Sequence, residues 1–189
     1  MSELKDFIIK DAVLEKYIGT AEEVVIPDGI TTIGKNSFYG CKEVKCIVIP
    51  NSVTSIGFSA FSWCVSLTNI TLPSSLENVS EYAFSFCKAL SKITLPNSVK
   101  SIGWCAFEGC ESLESMTIPK SAQSIARSVF EMCDKLKSIT FEDATNWYRT
   151  HSFAVWINQT YGWQTDLSNP VKNAELFKYD KREFYWYKK

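Results

Sequence analysis

Long apolar runs and an excess of either charge are missing from this sequence, and each absence excludes a class of function. No stretch approaches the roughly 18 consecutive apolar residues of a membrane helix, so we predict no membrane insertion. The 20 Lys and Arg residues balance 21 Asp and Glu residues without a run of like charge. The basic surface typical of nucleic-acid-binding proteins is therefore missing, and we predict no nucleic-acid partner.

A secretory signal is also missing from the start of the sequence. Residues 1–10 have no long apolar core and no small-residue cleavage site. The seven cysteines are an odd number placed by a repeat rule, unlike the disulfide framework of a small secreted protein. We therefore predict a cytoplasmic protein. An extracellular or cell-surface location is the alternative if the sequence as given has been trimmed.

The residues that catalytic sites need are scarce. His151 is the single histidine, and neither a glycine-rich phosphate loop nor a nucleophile-elbow motif is present. The acidic residues are scattered rather than paired across a cleft. We predict a protein that is not an enzyme and that holds no cofactor and no metal. An enzyme that uses His151 beside Ser152 is the last-ranked alternative.

What the sequence does contain is a strict period of 23 residues. The period is carried by five prolines and by five cysteines: Pro27, Pro50, Pro73, Pro96 and Pro119, with Cys41, Cys64, Cys87, Cys110 and Cys133. A fixed period of this length predicts a solenoid, in which each coil buries its apolar stripe against its neighbours.

Each predicted coil has a strand, a corner, a second extended run and one helical turn. The strand is an apolar–small–apolar triplet with its middle residue outward, as in Ile93-Thr94-Leu95, and the proline then turns the corner. Gly34, Gly57 and Gly103 suit a tight or positive-φ bend. An inward Phe with a Cys three residues later fits one turn of α- or 3₁₀-helix.

The segment from Leu90 to Cys110 reads almost letter for letter as L-x-x-I-x-I-P-x-S-V-x-S-I-G-x-x-A-F-x-x-C. This pattern resembles the BspA-like leucine-rich repeats of bacterial proteins. The resemblance implies a leucine-rich repeat solenoid, mostly β with short helical or 3₁₀ turns, and members that often act in adhesion or other protein contacts. We predict an N-terminal cap over 1–23, a solenoid of five repeats over 24–141 and an aromatic-rich C-terminal cap over 142–189, whose ending Phe184–Tyr187 forms a last strand.

The cysteine row has two interpretations. Thiolates bind soft metals, so a metal or redox array is one of them. Free cysteine more often behaves as a small buried hydrophobe, and a line of parallel side chains does not close a tetrahedron. We therefore predict that the row is structural, reduced and buried.

Aromatic residues in otherwise polar or small repeat positions are the first candidate binding site. Trp63 and Phe86 lie in one such row, and Phe58 and Trp104 lie in another. We predict that Trp63 and Phe86 are neighbours on the outer edge and form one patch with Tyr82. Clustered exposed aromatics are typical of a contact site. Local packing between turns is the competing interpretation.

The outward face of the strands is the second candidate site, since Thr71, Thr94 and Thr117 form a polar ladder there. We predict a non-catalytic protein–protein interaction scaffold whose partner is unknown. The alternative is a carbohydrate-binding or cell-surface adhesion protein that stacks sugar rings on cap aromatics such as Trp147, Trp156 and Trp163.

Overall fold

A computed structural model of the chain describes residues 2–151, 163–164, 167–179 and 184–188. Within these residues a 3₁₀ turn at Leu4–Asp6 is followed by β-strands and one α-helix, α1 (Pro170–Tyr179). The strands are β1 (Phe7–Lys10), β2 (Val13–Tyr17), β3 (Glu23–Val25), β4 (Thr32–Ile33), β5 (Cys46–Val48), β6 (Ser55–Ile56), β7 (Asn69–Thr71), β8 (Asn78–Val79), β9 (Ser101–Ile102), β10 (Ser115–Ile118), β11 (Ser124–Ile125), β12 (Ser138–Phe141), β13 (Trp147–His151), β14 (Trp163–Gln164) and β15 (Phe184–Lys188).

Two rows of parallel strands run along the molecule and confirm the solenoid. The strand before each proline pairs with its counterpart one repeat away, as in β3–β5–β7 and β10–β12. The second extended run forms the parallel row β2–β4–β6–β8–β9–β11. From β4 onward its register joins residues 23 apart, such as Ile33 with Ile56, whereas β2 and β4 join residues 19 apart, such as Leu14 with Ile33. The sequence period therefore sets which residues meet.

The solenoid has about six turns, one more than the five coils expected. The additional turn comes from the N-terminal segment, because β2 pairs in parallel with β4 and joins the second strand row. Tyr17 then takes the place that a phenylalanine has in later coils, and its ring stacks on Phe38 at a centroid distance of 5.0 Å.

A ladder of phenylalanine rings forms the centre of the core. Phe38, Phe61, Phe84, Phe107 and Phe130 are all fully buried. Successive rings stack at 5.1, 5.3, 5.4 and 5.7 Å. Burial of one such side chain contributes about 1.5–3 kcal/mol. Because each ring covers the next, every coil depends on its neighbours for this contribution.

The segment that closes each coil is a chain of tight turns instead of the predicted helical turn. Ser62 N–H donates to Ser59 three residues back, whereas Phe61 and Trp63 donate to Ala83 and Ser85 of the next coil. Since alternate N–H groups bind the neighbouring coil, a continuous helical ladder cannot form. The backbone also enters the left-handed region twice per coil. The first such row is Asn36, Ser59, Tyr82, Cys105 and Ser128, and the second is Gly40, Trp63, Phe86, Gly109 and Met132.

The sequence left a tight bend or a positive φ open for Gly34, Gly57 and Gly103, and positive φ is wrong. Gly34, Gly57 and Gly103 do not have positive φ, whereas Gly40 and Gly109 do. A Cβ on Gly103 would lie 2.6 Å from the backbone nitrogen of Glu81, and one on Gly57 would lie 2.9 Å from that of Lys35. These glycines therefore allow close approach between coils.

The predicted triplet strand is missing in one coil. Residues 91–96, which include Ile93-Thr94-Leu95, have no strand, so the first strand row is split between β7 and β10.

Both ends of the solenoid are covered. At the N-terminus, β1 pairs antiparallel with β2. At the other end β15 pairs antiparallel with both β11 and β13, which confirms the expected final strand. Phe177 of α1 and Trp186 of β15 are buried against this end, and Lys188 forms an ion pair with Asp143. The domain limits at residues 23 and 141 stay a prediction.

Candidate partner-binding surfaces

Trp63 and Phe86 form a stacked pair on the outer edge of the solenoid. Their ring centroids are 4.4 Å apart and their planes differ by 18°. Trp63 is 40% exposed and Phe86 is half-buried. Both have left-handed backbone, with φ of 63° and 57°. Gly109 follows them in the same row, where a Cβ would come within 2.6 Å of Cδ1 of Phe86, so this glycine leaves room for the ring.

A second aromatic cluster contains Phe58, Tyr82 and Trp104. Tyr82 makes edge contacts with Phe58 at 5.5 Å and with Trp104 at 5.0 Å. Lys35 lies over the Phe58 ring at 5.2 Å, and Arg127 lies over the Trp104 ring at 4.7 Å. Such cation–π contacts contribute about 0.5–1 kcal/mol at exposed sites. The cluster therefore has a cation at each end.

The expected single patch of Tyr82 with Trp63 and Phe86 does not agree with the contacts between the aromatic rings. Tyr82 contacts the rings of Phe58 and Trp104, so the five aromatics form two clusters instead of one. The reason is the place of Tyr82 in the repeat, which is one position from the row of Phe58 and Trp104 and four positions before Phe86. Lys35 and Arg127 share the repeat row of Phe58 and Trp104 in the sequence, but their contacts with these rings were not predicted.

A thiol and a carboxyl group lie beside the second cluster. Cys105 is 4% exposed, and burial together with the neighbouring Glu108 raises its pKa to about 12. Burial and the nearby charge of Glu131 raise the pKa of Glu108 in turn. A thiol with so high a pKa stays protonated at neutral pH, so Cys105 is a poor nucleophile.

The four cysteines from Cys64 to Cys133 on the repeat row are fully buried and structural, as predicted. Each of these thiols donates a hydrogen bond to the carbonyl oxygen of the phenylalanine 26 residues earlier, at 3.1–3.2 Å; the four are Cys64, Cys87, Cys110 and Cys133. Burial raises the pKa of all four. Cys41 is only half-buried, so the prediction of burial was wrong there; the turn of the coil before it lacks the Phe-x-x-Cys sequence of the later coils. Within the described residues, no group of three or more metal-ligating side chains is present.

Thr71 and Thr117 point outward from β7 and β10 and are exposed, as the alternation predicts. Thr94 is exposed as well, but it lies in the segment without a strand. The threonines therefore do not form one continuous ladder.

The C-terminal aromatics proposed for sugar binding do not share one environment. Trp147 is 1% exposed, and its Nε1 donates to the carbonyl of Asp143 at 3.0 Å. Trp147 is therefore a core residue, and its proposed role as a sugar platform was wrong. Trp156 and Ser152 lie outside the described residues. His151 and Trp163 are described only as backbone, in β13 and β14.

A comparison with protein families decides the relationship. The profile described as "BspA type Leucine rich repeat region" matches residues 8–104 and 79–161, in 6 copies. The chain belongs to this family. Leucine-rich repeat proteins of this type are repeat-based binding scaffolds and are generally non-catalytic. In the described part of this leucine-rich repeat protein, no helix is long and apolar enough to span a membrane.

Several solved leucine-rich repeat structures resemble the chain. One is the leucine-rich repeat protein of T. pallidum, with 31% identity over 73% of this chain and 70% of that protein, and a TM-score of 0.70. A leucine rich cell surface protein from Faecalibacterium prausnitzii has 32% identity and a TM-score of 0.67, and the match covers 70% of this chain and 36% of that protein. A leucine-rich repeat protein from Bacteroides ovatus has 32% identity and a TM-score of 0.63, with 70% and 38% coverage. No curated protein matches the chain.

Proposed function

We propose that this leucine-rich repeat protein is a non-catalytic scaffold that binds a protein partner through its outer aromatic edge. The edge is defined by the Trp63–Phe86 pair and by the cluster of Phe58, Tyr82 and Trp104. Tyr, Trp and Arg dominate the energetic hot spots of protein contacts, and all three residue types are present on this edge.

The observation that carries the proposal is the presence of large rings at left-handed backbone positions. A residue other than glycine costs roughly 1–2 kcal/mol in this conformation. Gly40 and Gly109 avoid that cost in the same row, whereas Trp63 and Phe86 do not. Stacking of two rings contributes only about 0.5–1.5 kcal/mol. Left-handed backbone recurs at this position in every coil and so does not mark a site by itself, but the fold gives little reason for large exposed rings where Gly40 and Gly109 suffice.

The chemistry of the edge favours a protein over a small molecule. Trp63 and Phe58 are each 40% exposed, so their rings lie open on a surface. Small-molecule sites, in contrast, enclose most of their ligand in a concave pocket. The cations Lys35 and Arg127 at the ends of the second cluster add a polar margin to an aromatic centre, which is the usual arrangement of a protein interface.

The proposal is tested with the double variant Trp63→Ser and Phe86→Ser. Partners captured from the native lysate by the unmodified protein are identified by mass spectrometry, and their affinity for the variant is then measured. We expect binding to weaken at least tenfold while the free energy of unfolding changes by less than about 2 kcal/mol, because the rings stack on each other at the surface. Met132→Ser is the matched control, since Met132 is exposed in the same left-handed row.

Two results would contradict the proposal. A loss of several kcal/mol in the double variant would show that the rings are core residues. A captured partner that binds the double variant and the Met132→Ser control equally well would exclude this edge as its binding site.

A cell-surface adhesion or carbohydrate-binding role is the second candidate. It is favoured by the Faecalibacterium prausnitzii relative, which is described as a leucine rich cell surface protein. Against it, the seven free cysteines support a reducing compartment and hence the cytoplasm, as we propose. A glycan array separates the two candidates, because binding to an immobilised sugar that survives the double substitution would favour the second.

A further inference from the structure

The two ends of the outer aromatic edge carry opposite charges in matching order. Lys42 and Glu43 follow the turn of one coil, and Asp134 and Lys135 have the same two repeat positions four repeats later. All four side chains are exposed, and we call them the end charges. Each of the two positions therefore has a cation at one end of the edge and an anion at the other.

The end charges differ from the other exposed charges of the solenoid. Elsewhere, ion pairs join successive coils, and these pairs are Lys45–Glu22, Lys88–Glu111, Lys100–Glu77 and Lys137–Glu114. Within the described residues, none of the end charges forms an ion pair. The positions one repeat away offer no opposite charge, since Val65 is next to Lys42 and Glu111 is next to Asp134.

Between the end charges the edge is apolar and exposed. Tyr39 is 49% exposed and Trp63 is 40% exposed, and Phe86 stacks on Trp63. An exposed apolar patch with a polar border marks a protein contact site. The five coils from one end to the other span about 19 Å, at a strand spacing of about 4.8 Å. A contact of this length is small for a protein interface, so we expect it to be weak.

We propose that the partner bound at the outer aromatic edge is a second copy of this chain, related to the first by a two-fold axis that reverses the order of the coils. This inference rests on the function proposed above and names the partner. The coil of Phe86 lies midway between the coils of Lys42 and Asp134. The axis therefore passes beside Phe86, and the two Trp63–Phe86 pairs meet there. Such a contact uses the same surface of both copies.

Reversal of the coil order brings opposite charges together at both ends. Lys42 of one copy faces Asp134 of the second copy, and Glu43 faces Lys135 of the second copy. The two-fold axis repeats both pairs at the other end of the contact. Complementary charges of this kind fix the orientation of two partners, while clustered aromatic rings supply most of the binding energy. The end charges thus find in the second copy the partners that their own chain does not give them.

The charges near the axis do not oppose this contact. Lys88 lies beside the axis, and its charge is balanced by Glu111 of the same chain at 2.7 Å. The cations Lys35 and Arg127 lie over rings of the second aromatic cluster, in an earlier part of the turn and to one side of the contact. Like charges of the two copies are therefore neutralised or kept at the margin.

Charge exchange at one end tests the arrangement without a change in net charge. One variant combines Lys42→Glu with Glu43→Lys, and the other combines Asp134→Lys with Lys135→Asp. Each variant by itself brings like charges together at both ends of the dimer. We expect its dimer dissociation constant, measured by sedimentation velocity on the full chain, to rise at least tenfold above that of the unmodified protein.

An equal mixture of the two exchange variants is the decisive sample. In a pair made of one copy of each variant, opposite charges face each other again at both ends. We expect this mixed dimer to form with a dissociation constant within about threefold of that of the unmodified protein. The control exchanges an ion pair on another face, Glu77→Lys with Lys100→Glu, and should leave the dimer unchanged. All exchanged side chains are exposed, so the fold is retained, which an unchanged thermal midpoint checks.

The rings are tested with the double variant Trp63→Ser and Phe86→Ser, which should weaken the dimer at least tenfold. A double variant that dimerises as tightly as the unmodified protein would overturn the proposal. Exchange variants that fail to associate when mixed, although the unmodified protein dimerises, would overturn it as well and would place the contact elsewhere, as at the open edge of β1.

A third result separates this inference from the proposed function. An unmodified protein that stays monomeric up to about 1 mM would exclude the second copy as the partner. If a different protein captured from the lysate then binds the unmodified chain but not the double variant, the function proposed for the edge stands and the inference of a dimer fails. If no captured protein distinguishes the two, both fail.

Discussion

The buried thiol row should make this protein unusually sensitive to alkaline pH. Burial raises the pKa of Cys64, Cys87, Cys110 and Cys133, and that of Cys133 reaches about 12. The unfolded chain has ordinary thiols, with a pKa of about 8.5. Below this value both states are protonated, and the stability is fully present. Above it the unfolded chain loses protons that the folded protein retains, so stability falls with rising pH until the folded pKa is reached.

The magnitude follows from the number of thiols. One pH unit above the unfolded pKa, ionisation of one thiol stabilises the unfolded chain by about 1.4 kcal/mol. The four thiols of this row together give about 6 kcal/mol between pH 7 and about pH 9.5, and Cys105, whose pKa is raised to about 12, acts in the same direction. Because a domain is typically stable by only 5–15 kcal/mol, we expect the chain to be close to unfolding at the higher pH.

Urea unfolding under a reducing agent, at pH 7 and at about pH 9.5, measures this effect. Cys87→Ala isolates one thiol: it should cost roughly 1–2 kcal/mol at pH 7 through lost packing. At the higher pH the difference from the unmodified protein should shrink by about 1.4 kcal/mol. A difference that stays constant between the two pH values would refute the reasoning, as would rapid reaction of Cys87 with a thiol reagent in the folded protein.

Two further predictions concern packing. Deletion of residues 142–189 should uncover Phe130 and Phe141, which contact Phe177 in the complete chain, and should lower the thermal midpoint or cause association that grows with concentration; a monomer with an unchanged midpoint would show that the tail is an independent module. Gly103→Ala should destabilise the protein by about 1–3 kcal/mol in urea unfolding, because the new Cβ would lie 2.6 Å from the backbone nitrogen of Glu81. Gly29→Ala, where a Cβ meets nothing within 4 Å, measures the separate cost of positive φ, which is about 1–2 kcal/mol. An unchanged stability of Gly103→Ala would contradict the argument about close approach of coils.

The candidate binding surface could be only partly predicted from the sequence. The stacking of Trp63 on Phe86 followed from their places 23 residues apart. The grouping of Tyr82 with Phe58 and Trp104 was not predicted, although Tyr82 is only one position from their repeat row. A signal for left-handed backbone was present in the sequence, where Gly40 and Gly109 share a repeat position with Trp63. The sequence alone does not show whether such a glycine is needed for its positive φ or for close packing.

The sequence by itself determined the solenoid, its register and its inward rows. A fixed period brings identical positions of successive coils together, so the repetition of Phe and Cys at 23 residues is enough to predict the ladders of Phe61 on Phe84 and Cys64 beside Cys87. Only the tertiary structure decided where the strand row breaks and which turn residues have positive φ. The positive φ values accompany the sharing of alternate N–H groups between a turn and the neighbouring coil, which no local residue pattern specifies. The triplet Ile93-Thr94-Leu95 has the same pattern as its neighbours, yet its residues lack the ladder hydrogen bonds of the other coils.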